Sequence, residues 1–309
     1  MEIYHIRQET TPFPLPPSVM ALGYFDGLHL GHQTVLEHTV RISRENHWVP
    51  SLLTFHPHPR EVLAGPGKVT YLTSLDQRLQ LFEQHGMEQI FLVQFDQAFA
   101  NLSPQEFVHQ YVLDFHAKYV VSGFDYTFGQ YGRGNAAMLQ EFGEQLGFGV
   151  DIVPPILYEG DKVSSTRIRQ LIQEGKIEAV PPLLGKPFQL VGTVIIGDQR
   201  GRTLGFPTAN LRLTTNYILP KHGVYACKVH WNGREYEAVM NVGKKPTFLQ
   251  GNEVDCEVHL IDFNGDLYGE TMVVDLFAFI REEQKFPNRE ALISQIKMDV
   301  EQVRRSMLY

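Results

Sequence analysis

The stretch that most constrains the fold is 19–32, VMALGYFDGLHLGH. It opens with a short apolar run, Val19-Met20-Ala21-Leu22, of the length and character of a buried parallel strand. Gly23 ends that run, Tyr24-Phe25-Asp26-Gly27 makes a turn, and His29-Leu30-Gly31-His32 opens a helical pattern. Strand, glycine turn and helix start are how α/β proteins build a phosphate site. The first turn of a helix presents unpaired N–H groups and the positive end of the helix dipole. His29 and His32 lie at i and i+3, on one helix face, so both imidazoles can reach one anion. The stretch contains neither GxxxxGK[ST] nor GxGxxG, which excludes the P-loop and the dinucleotide fingerprint.

Beyond this stretch the first half alternates. The apolar spacing predicts helices over 33–45, 74–85 and 135–146, and strands over 49–55, 89–95, 119–121 and 150–153. Ser103-Pro104-Gln105-Glu106 is a capping box with proline at the first helical position, so another helix starts there and runs to about residue 116. Repeated alternation at this spacing predicts an α/β domain with a doubly wound parallel sheet. Three loops carry polar or aromatic chemistry. His56-Pro57-His58-Pro59 reads as a stiff, extended loop; with no third ligand nearby it is not a metal site, but it lies beyond a strand's carboxyl end, where such sheets bind ligands. Residues 123–135 interleave aromatic rings with glycines, a surface suited to a flat heteroaromatic ring. Val163-Ser164-Ser165-Thr166-Arg167-Ile168-Arg169 reads as a loop before a helix to residue 173, with hydroxyls and guanidinium groups able to meet phosphate.

A chain of 309 residues is long for one core. The proline-rich segment 179–187 reads as a linker, dividing the chain into domains 1–182 and 183–309. After it the period changes to that of strands, over 188–196, 223–229, 235–242, 255–261 and 271–279, with Asn232-Gly233 and Asn264-Gly265 as hairpin signals. This predicts a small antiparallel β-barrel, closed by a terminal helix over 288–307 with Leu292, Ile293, Ile296, Val300 and Val303 on one face. Within it, Gly197-Asp198-Gln199-Arg200-Gly201-Arg202 is a polar glycine loop that can offer amides to phosphate. Thr208 and Asn210 supply hard oxygen donors of the kind Mg²⁺ accepts beside ATP phosphates, although Gly205-Phe206-Pro207-Thr208-Ala209-Asn210 by itself reads rather as a proline turn with an Asx bond. A net charge of −8 argues against a nucleic-acid partner. Two cysteines, Cys227 and Cys256, are too few for a disulfide framework, and no leader or long apolar stretch marks a membrane partner. The expectation is a soluble cytoplasmic protein acting on small molecules, with its oligomeric state left open.

A strand followed by His-x-Gly-His resembles the nucleotidyltransferase superfamily. The resemblance narrows when Gly23-x-Phe25-Asp26-Gly27-x-His29-x-Gly31-His32, 54–59 (TFHPHP), Gly123-x-Asp125-x-x-Phe128-Gly129 and 164–169 (SSTRIR) are taken in order. Together they resemble the adenylyltransferase domain of bacterial bifunctional riboflavin kinase/FAD synthetases. Gly132, with Arg133 beside it, stands where many members carry arginine. In the second half, 205–210 (GFPTAN), 241–247 (NVGKKPT), 257–260 (EVHL), 267–269 (LYG) and Ile280-Arg281-x-x-x-Lys285-Phe286 resemble the riboflavin kinase family, with Lys245 where most relatives have arginine.

The resemblance implies two reactions: phosphorylation of riboflavin to FMN by ATP in the second domain, and transfer of AMP from ATP to FMN in the first, giving FAD and pyrophosphate. It implies Mg²⁺ as cofactor, and ATP, riboflavin and FMN as small-molecule partners. It assigns Gly23, Phe25, Asp26, Gly27, His29, Gly31, His32, Ser164, Ser165, Thr166 and Arg167 to ATP in the adenylyltransferase, with the two histidines catalytic. Phe55, Asp125 and Phe128 would shape the flavin pocket there. In the kinase, Gly197, Gly201, Arg202, Thr208 and Asn210 would hold ATP, with Thr208 and Asn210 on the metal. Glu257 would be the base, and with Arg281 and Phe286 would face the flavin. An adenylyltransferase for a pantetheine or nicotinamide nucleotide would lack the second half, and a non-enzymatic flavin-binding regulator would have no use for His29, His32 and Glu257.

Overall fold

The computed structural model describes residues 1–7, 14–65, 67–197, 201, 204–244 and 254–306. They form two compact units, Met1–Thr70 with Ser74–Ser165, and Tyr71–Thr73 with Thr166–Tyr309.

In the first unit the chain runs β1 (Glu2–Ile6), β2 (Ser18–Leu22), α1 (Leu30–Asn46), β3 (Val49–His56), α2 (Pro59–Ala64), α3 (Leu75–Gln84), β4 (Gln89–Gln94), α4 (Gln97–Ala100), α5 (Pro104–Val108), β5 (Ala117–Gly123), α6 (Ala136–Leu146) and β6 (Gly149–Val153). A small hairpin follows, β7 (Leu157–Tyr158) and β8 (Asp161–Lys162). The six long strands form one sheet in the order β1-β4-β3-β2-β5-β6, every pair parallel. Every residue of β2 is buried, as a central strand covered on both faces must be. Its alternate side chains enter two cores: Met20 and Leu22 join Leu53, Phe91 and Val120, while Val19 and Ala21 join Leu52, Ile90 and Val121. β2 and β5 are neighbours from which the chain winds in opposite directions, so their carboxyl ends flank the switch point where such sheets bind ligands. The turn 23–27 and the aromatic loop after Gly123 both start there.

The structure departs from the sequence reading at several places in this unit, the short α4 and the β7–β8 hairpin among them. β1 was not expected: it is a short edge strand with mostly exposed side chains, and carries little apolar signal. The 56–59 segment is not extended throughout, since Pro59 opens α2 and the His58 ring accepts from the Arg60 N–H at 3.0 Å as its N-cap. The helix capped by Ser103 widens after residue 108 into a π-helical turn, His109–Leu113. The serine-rich segment becomes helical at Ser165, earlier than expected.

The second unit takes α7 (Ser165–Gln173) from Thr166 onward, then α8 (Pro181–Leu184), β9 (Phe188–Ile195), β10 (Ala209–Leu213), β11 (Gly223–Trp231), β12 (Arg234–Lys244), β13 (Val254–Leu260), β14 (Thr271–Arg281) and α9 (Arg289–Ser306). The strands close into a barrel, β10-β13-β12-β11-β14-β9, with antiparallel neighbours. Asn232 and Gly233 both have positive φ, 48° and 71°, as a tight β11–β12 hairpin requires. Asn264-Gly265 is no hairpin: it lies between β13 and β14, which pair with other strands. The expected linker is folded, with Ile177, Val180, Leu183 and Leu184 buried and prolines opening the short α8. β10 was hidden in the Pro-Thr-Ala-Asn motif. α9 is capped by the Asn288 side chain, which accepts from the Ala291 N–H at 2.8 Å, and it buries Asp299 and Val303.

Candidate active sites

In the first unit, the turn after β2 is tight and its backbone unusual. Phe25 and Leu28 have positive φ, 59° and 45°, values that non-glycine residues hold only when their surroundings compel them. Two side chains converge on the Tyr24 carbonyl: Thr54 donates at 3.2 Å, and the Arg78 guanidinium at 2.9 Å while lying 4.3 Å from the Tyr24 ring. Arg78 is 1% exposed. Nothing in its sequence setting sets it apart from an ordinary helix arginine, so its role was not legible. Together with burial, its charge holds the nearby His56 below the ordinary imidazole pKa, burial being the larger cause.

His29 is the N-cap of α1: its Nδ1 accepts from the His32 N–H at 3.3 Å. With Nδ1 so engaged, a neutral His29 carries its proton on Nε2. The two imidazoles stack 3.7 Å apart at 15°, and the Phe25 ring meets His32 edge-on at 5.3 Å. A Cβ at Gly31 would lie 3.2 Å from the His29 ring, a tight contact to which the ring would have to yield by a few tenths of an ångström. Asp26 is buried, and its main-chain carbonyl accepts from Ser165 Oγ at 3.1 Å, which brings the 164–165 hydroxyl motif to the histidine turn. Thr166 and Arg167 follow in α7 and fall in the second unit; Thr166 is exposed and Arg167 half-buried.

Phe55 and Phe128, from the end of β3 and the loop after β5, line one cleft of about 240 Å³ that is open to solvent. Phe95, Phe99, Phe107 and Tyr126 complete its aromatic wall. Burial pushes the Tyr126 phenol above its ordinary pKa, and its hydroxyl has no partner among the described residues. Asp125 is not on this lining; its carboxylate is exposed and pairs with Lys162 at 2.6 Å.

In the barrel, Asn210 of β10 and Asn241 of β12 are both register partners of Glu257 on β13. Directly paired residues share a face of the sheet, so the three line up on the face opposite the buried Cys256 and Val258. Thr208 Oγ1 donates to Glu257 Oε2 at 3.4 Å. Asn210 is buried, and its Oδ1 has no hydrogen-bond partner among the described residues. A Cβ at Gly197 would sit 2.3 Å from the Asn210 side chain, so only glycine lets the end of β9 pass there. The Gly201 carbonyl accepts from the Phe206 N–H at 3.0 Å. His259, on the same face as Glu257, bonds the Pro207 carbonyl at 2.8 Å and fixes the turn that carries Thr208. Neither His259 nor Asn241 was singled out from the sequence, although both fall within the quoted motifs. Arg202 lies outside the described residues, as does Lys245.

Arg281 and Phe286 form a neighbouring group, the guanidinium carbon 5.7 Å from the ring centroid. Arg281 is held by Asp299 of α9 through bonds of 2.9 Å and 2.8 Å. Glu283, between Arg281 and Phe286, accepts from Asn241 Nδ2 at 3.3 Å, which ties this segment to the Glu257 row.

Family models match both halves: FAD synthetase over residues 14–167 and riboflavin kinase over 184–307. The bifunctional riboflavin kinase/FMN adenylyltransferase of Listeria monocytogenes is 41% identical over 93% of this chain and 91% of its own length; that of Bacillus subtilis is 40% identical over 93% and 92%. A solved structure from Streptococcus pneumoniae, described as a macrolide-efflux protein, superposes with a TM-score of 0.90 at 37% identity and covers 98% of each chain. Among the described residues no helix is long and apolar enough to cross a membrane. By its two domain matches and by full-length identity, this chain belongs to the bifunctional riboflavin kinase/FMN adenylyltransferase family.

Proposed function

We propose that the family's two reactions are divided between residues 1–182, which adenylylate FMN, and 183–309, which phosphorylate riboflavin, in a cytoplasmic enzyme without nucleic-acid or membrane partners. The observation that carries this reading is that two chemically different centres stand in one chain. One is a stacked histidine pair at a helix start, and the other is a glutamate in a row with two asparagines on a barrel face.

In the first centre FMN already carries an ionised phosphate, so its attack on the ATP α-phosphate requires no base. Catalysis is positioning and charge stabilisation. His29 and His32 donate to the oxygens on which charge builds as pyrophosphate leaves. Gly23, Phe25, Asp26, Gly27 and Gly31 shape the turn under the nucleotide, and Ser164 and Ser165 add hydroxyl donors. Thr166 and Arg167 are assigned to the same ligand on their motif. Phe55 and Phe128 hold the flavin in the aromatic cleft. Asp125, paired with Lys162 and off the cleft lining, is assigned to the margin of this ligand by its motif.

In the second centre the attacking group is a neutral hydroxyl, and a base is needed. Glu257 takes the proton of the riboflavin 5′-hydroxyl. Thr208 and Asn210 fit a hard divalent cation. Asn210 Oδ1 is a buried acceptor without a donor among the described residues, and Thr208 directs its hydrogen to Glu257, which leaves its lone pairs to face a cation. Bound there, Mg²⁺ would offset charge on the ATP phosphates. Gly197, Gly201 and Arg202 belong to the nucleotide loop, and Arg281 and Phe286 to the flavin side. Incubation with riboflavin and Mg-ATP, followed by chromatographic separation of flavins, tests the whole assignment. FMN should appear first and FAD after it; riboflavin recovered unchanged would refute the reading.

A further inference from the structure

The loop at the rim of the aromatic cleft is anchored on both sides. Phe128 and Gly134 exchange main-chain hydrogen bonds of 3.1 Å and 2.9 Å, and the Gln130 N–H donates to the Leu102 carbonyl at 2.6 Å. Between these anchors Tyr131 holds a φ of 57°, in the left-handed region where a bulky residue is an outlier. Its ring is 85% exposed, yet it lines the same cleft as the buried Phe55 and Phe128. Leu63 of α2, 62% exposed, lines it too. The Arg133 guanidinium carbon stands 5.9 Å from the Tyr131 ring. The loop thus spends backbone strain to hold an aromatic ring in water at the mouth of an aromatic cleft.

We propose that Tyr131 is a specificity-determining residue for adenylyl transfer, closing the open side of the cleft by stacking on the isoalloxazine ring of FMN. This rests on the reading that the cleft takes FMN. The inner wall supplied by Phe55, Phe99 and Phe128 covers the ring system from the core side. Tyr131 offers a rigid, flat surface with few rotamers to lose, so stacking costs little ordering entropy. Anchoring at Gln130 and Gly134 fixes the rim at a set height above the wall, which favours a planar fused ring over a smaller or puckered group. Arg133, beside the ring, adds positive charge on the side from which an anionic nucleotide enters. The contact is made equally in the ground and transition states, so it acts on KM and leaves kcat nearly alone.

The test uses the full chain with Tyr131→Ala, Tyr131→Phe, Tyr131→Trp and Phe55→Leu. FAD formation from FMN gives KM and kcat, and quenching of FMN fluorescence on binding reports stacking directly. Riboflavin kinase activity of each preparation serves as the folding reference. Tyr131→Ala should raise the KM for FMN about two- to tenfold, the worth of one aromatic stacking contact, with weaker quenching. Tyr131→Phe should behave as wild type, and Tyr131→Trp should quench more strongly. Phe55→Leu should also raise KM, since it reports on the cleft itself. If Phe55→Leu raises KM and Tyr131→Ala does not, Tyr131 has no part in flavin binding although the cleft assignment stands. If neither variant changes KM, the cleft assignment falls and this inference with it. If Tyr131→Phe loses as much as Tyr131→Ala, the contact is a hydrogen bond from the phenol and the stacking claim is overturned.

Discussion

The two centres fix different things. In the α/β unit the constrained part is a backbone turn: positive φ at Phe25 and Leu28, a carbonyl clamped by Thr54 and Arg78, and an imidazole used as a helix cap. In the barrel the constrained part is a row of side chains set by strand register, Asn210, Glu257 and Asn241, with the loops around it supplying the rest. On the proposed assignment, the difference follows the chemistry given to each centre. Adenylyl transfer to an ionised phosphate needs donors held in fixed directions, which a helix start with a rigid turn provides. Phosphoryl transfer to a hydroxyl needs a base among oxygen ligands, and alternate positions on neighbouring strands set such groups side by side.

The sharpest way to break this comparison is Glu257→Gln, which keeps the shape and removes the base. FMN formation from riboflavin should fall about 10²- to 10⁴-fold, while FAD formation from supplied FMN stays near wild type. Two assays on one purified variant decide it. Equal loss of both activities at an unchanged melting temperature would mean that Glu257 is not the kinase base.

Next in size is the histidine pair. His29→Ala and His32→Ala should each lower FAD formation about 10²-fold, the usual worth of an oriented electrostatic donor, while FMN formation persists. His29→Ala also removes the cap of α1, a stability cost of about 1 kcal/mol, so the melting temperature is measured alongside. His32→Ala keeps the cap and is the cleaner test. A folded double variant with near-normal FAD yield would remove the pair from the mechanism.

A comparable contrast governs what the sequence made legible. α1 was readable because one buried face sets its helical period, and β3 and β4 because continuous apolar runs mark strands buried on both faces. β1 was missed because an edge strand with exposed side chains has no such face. β10 was missed because Ala209–Leu213 follows proline and overlaps the Thr208/Asn210 motif, so local turn chemistry masked a strand made by pairing to β9 and β13. Asn264-Gly265 misled because the dipeptide favours a turn but cannot say which strands pair. In the proposed sites, His29 and His32 stood out by their spacing at a helix start, whereas Thr208, Asn210 and Glu257 were singled out through the family resemblance of their motifs. Arg78, Tyr131, His259 and Asp299 were not, because their parts depend on approach from distant chain segments.

The prolines at 181–182 raise the question of where the barrel unit begins, and truncation sharpens it. Ile177, Val180 and Leu183 are buried, and Glu178 Oε1 accepts from the Phe279 N–H of β14 at 3.1 Å. A fragment from Thr166 to the end should fold and convert riboflavin to FMN. One from Leu184 should be several kcal/mol less stable, on the order of 1.5–3 kcal/mol for each large apolar side chain removed. Denaturant titration of both fragments measures the gap. Equal stabilities would make the segment before Leu184 a simple connector; an inert but folded fragment from Thr166 would mean that the kinase centre borrows from the other unit.

The smallest effect expected is also the most local, and it concerns the link between β14 and α9. Asp299 is 3% exposed at its side chain and Arg281 20%. The carboxylate takes Arg281 Nε at 2.9 Å and Nη2 at 2.8 Å, and accepts from Gln295 Nε2 at 2.9 Å, while Arg281 Nη1 donates to the Glu282 carbonyl at 3.0 Å. Asp299→Asn keeps the volume and one acceptor but removes the counter-charge and turns one acceptor into a donor facing a guanidinium. The cost should be about 1–3 kcal/mol, below that of a fully buried pair because the guanidinium retains some water. The melting temperature should drop accordingly. If Arg281 serves the kinase centre, the KM for riboflavin or ATP in FMN formation should rise with the loss of its anchor, whereas FAD formation from FMN should not change. Asp299→Glu, which keeps the charge at a shifted distance, should recover part of the KM loss. A lowered melting temperature with both kinase KM values unchanged would reduce Arg281 to a strut between strand and helix, and the barrel centre would then rest on the Glu257 row alone.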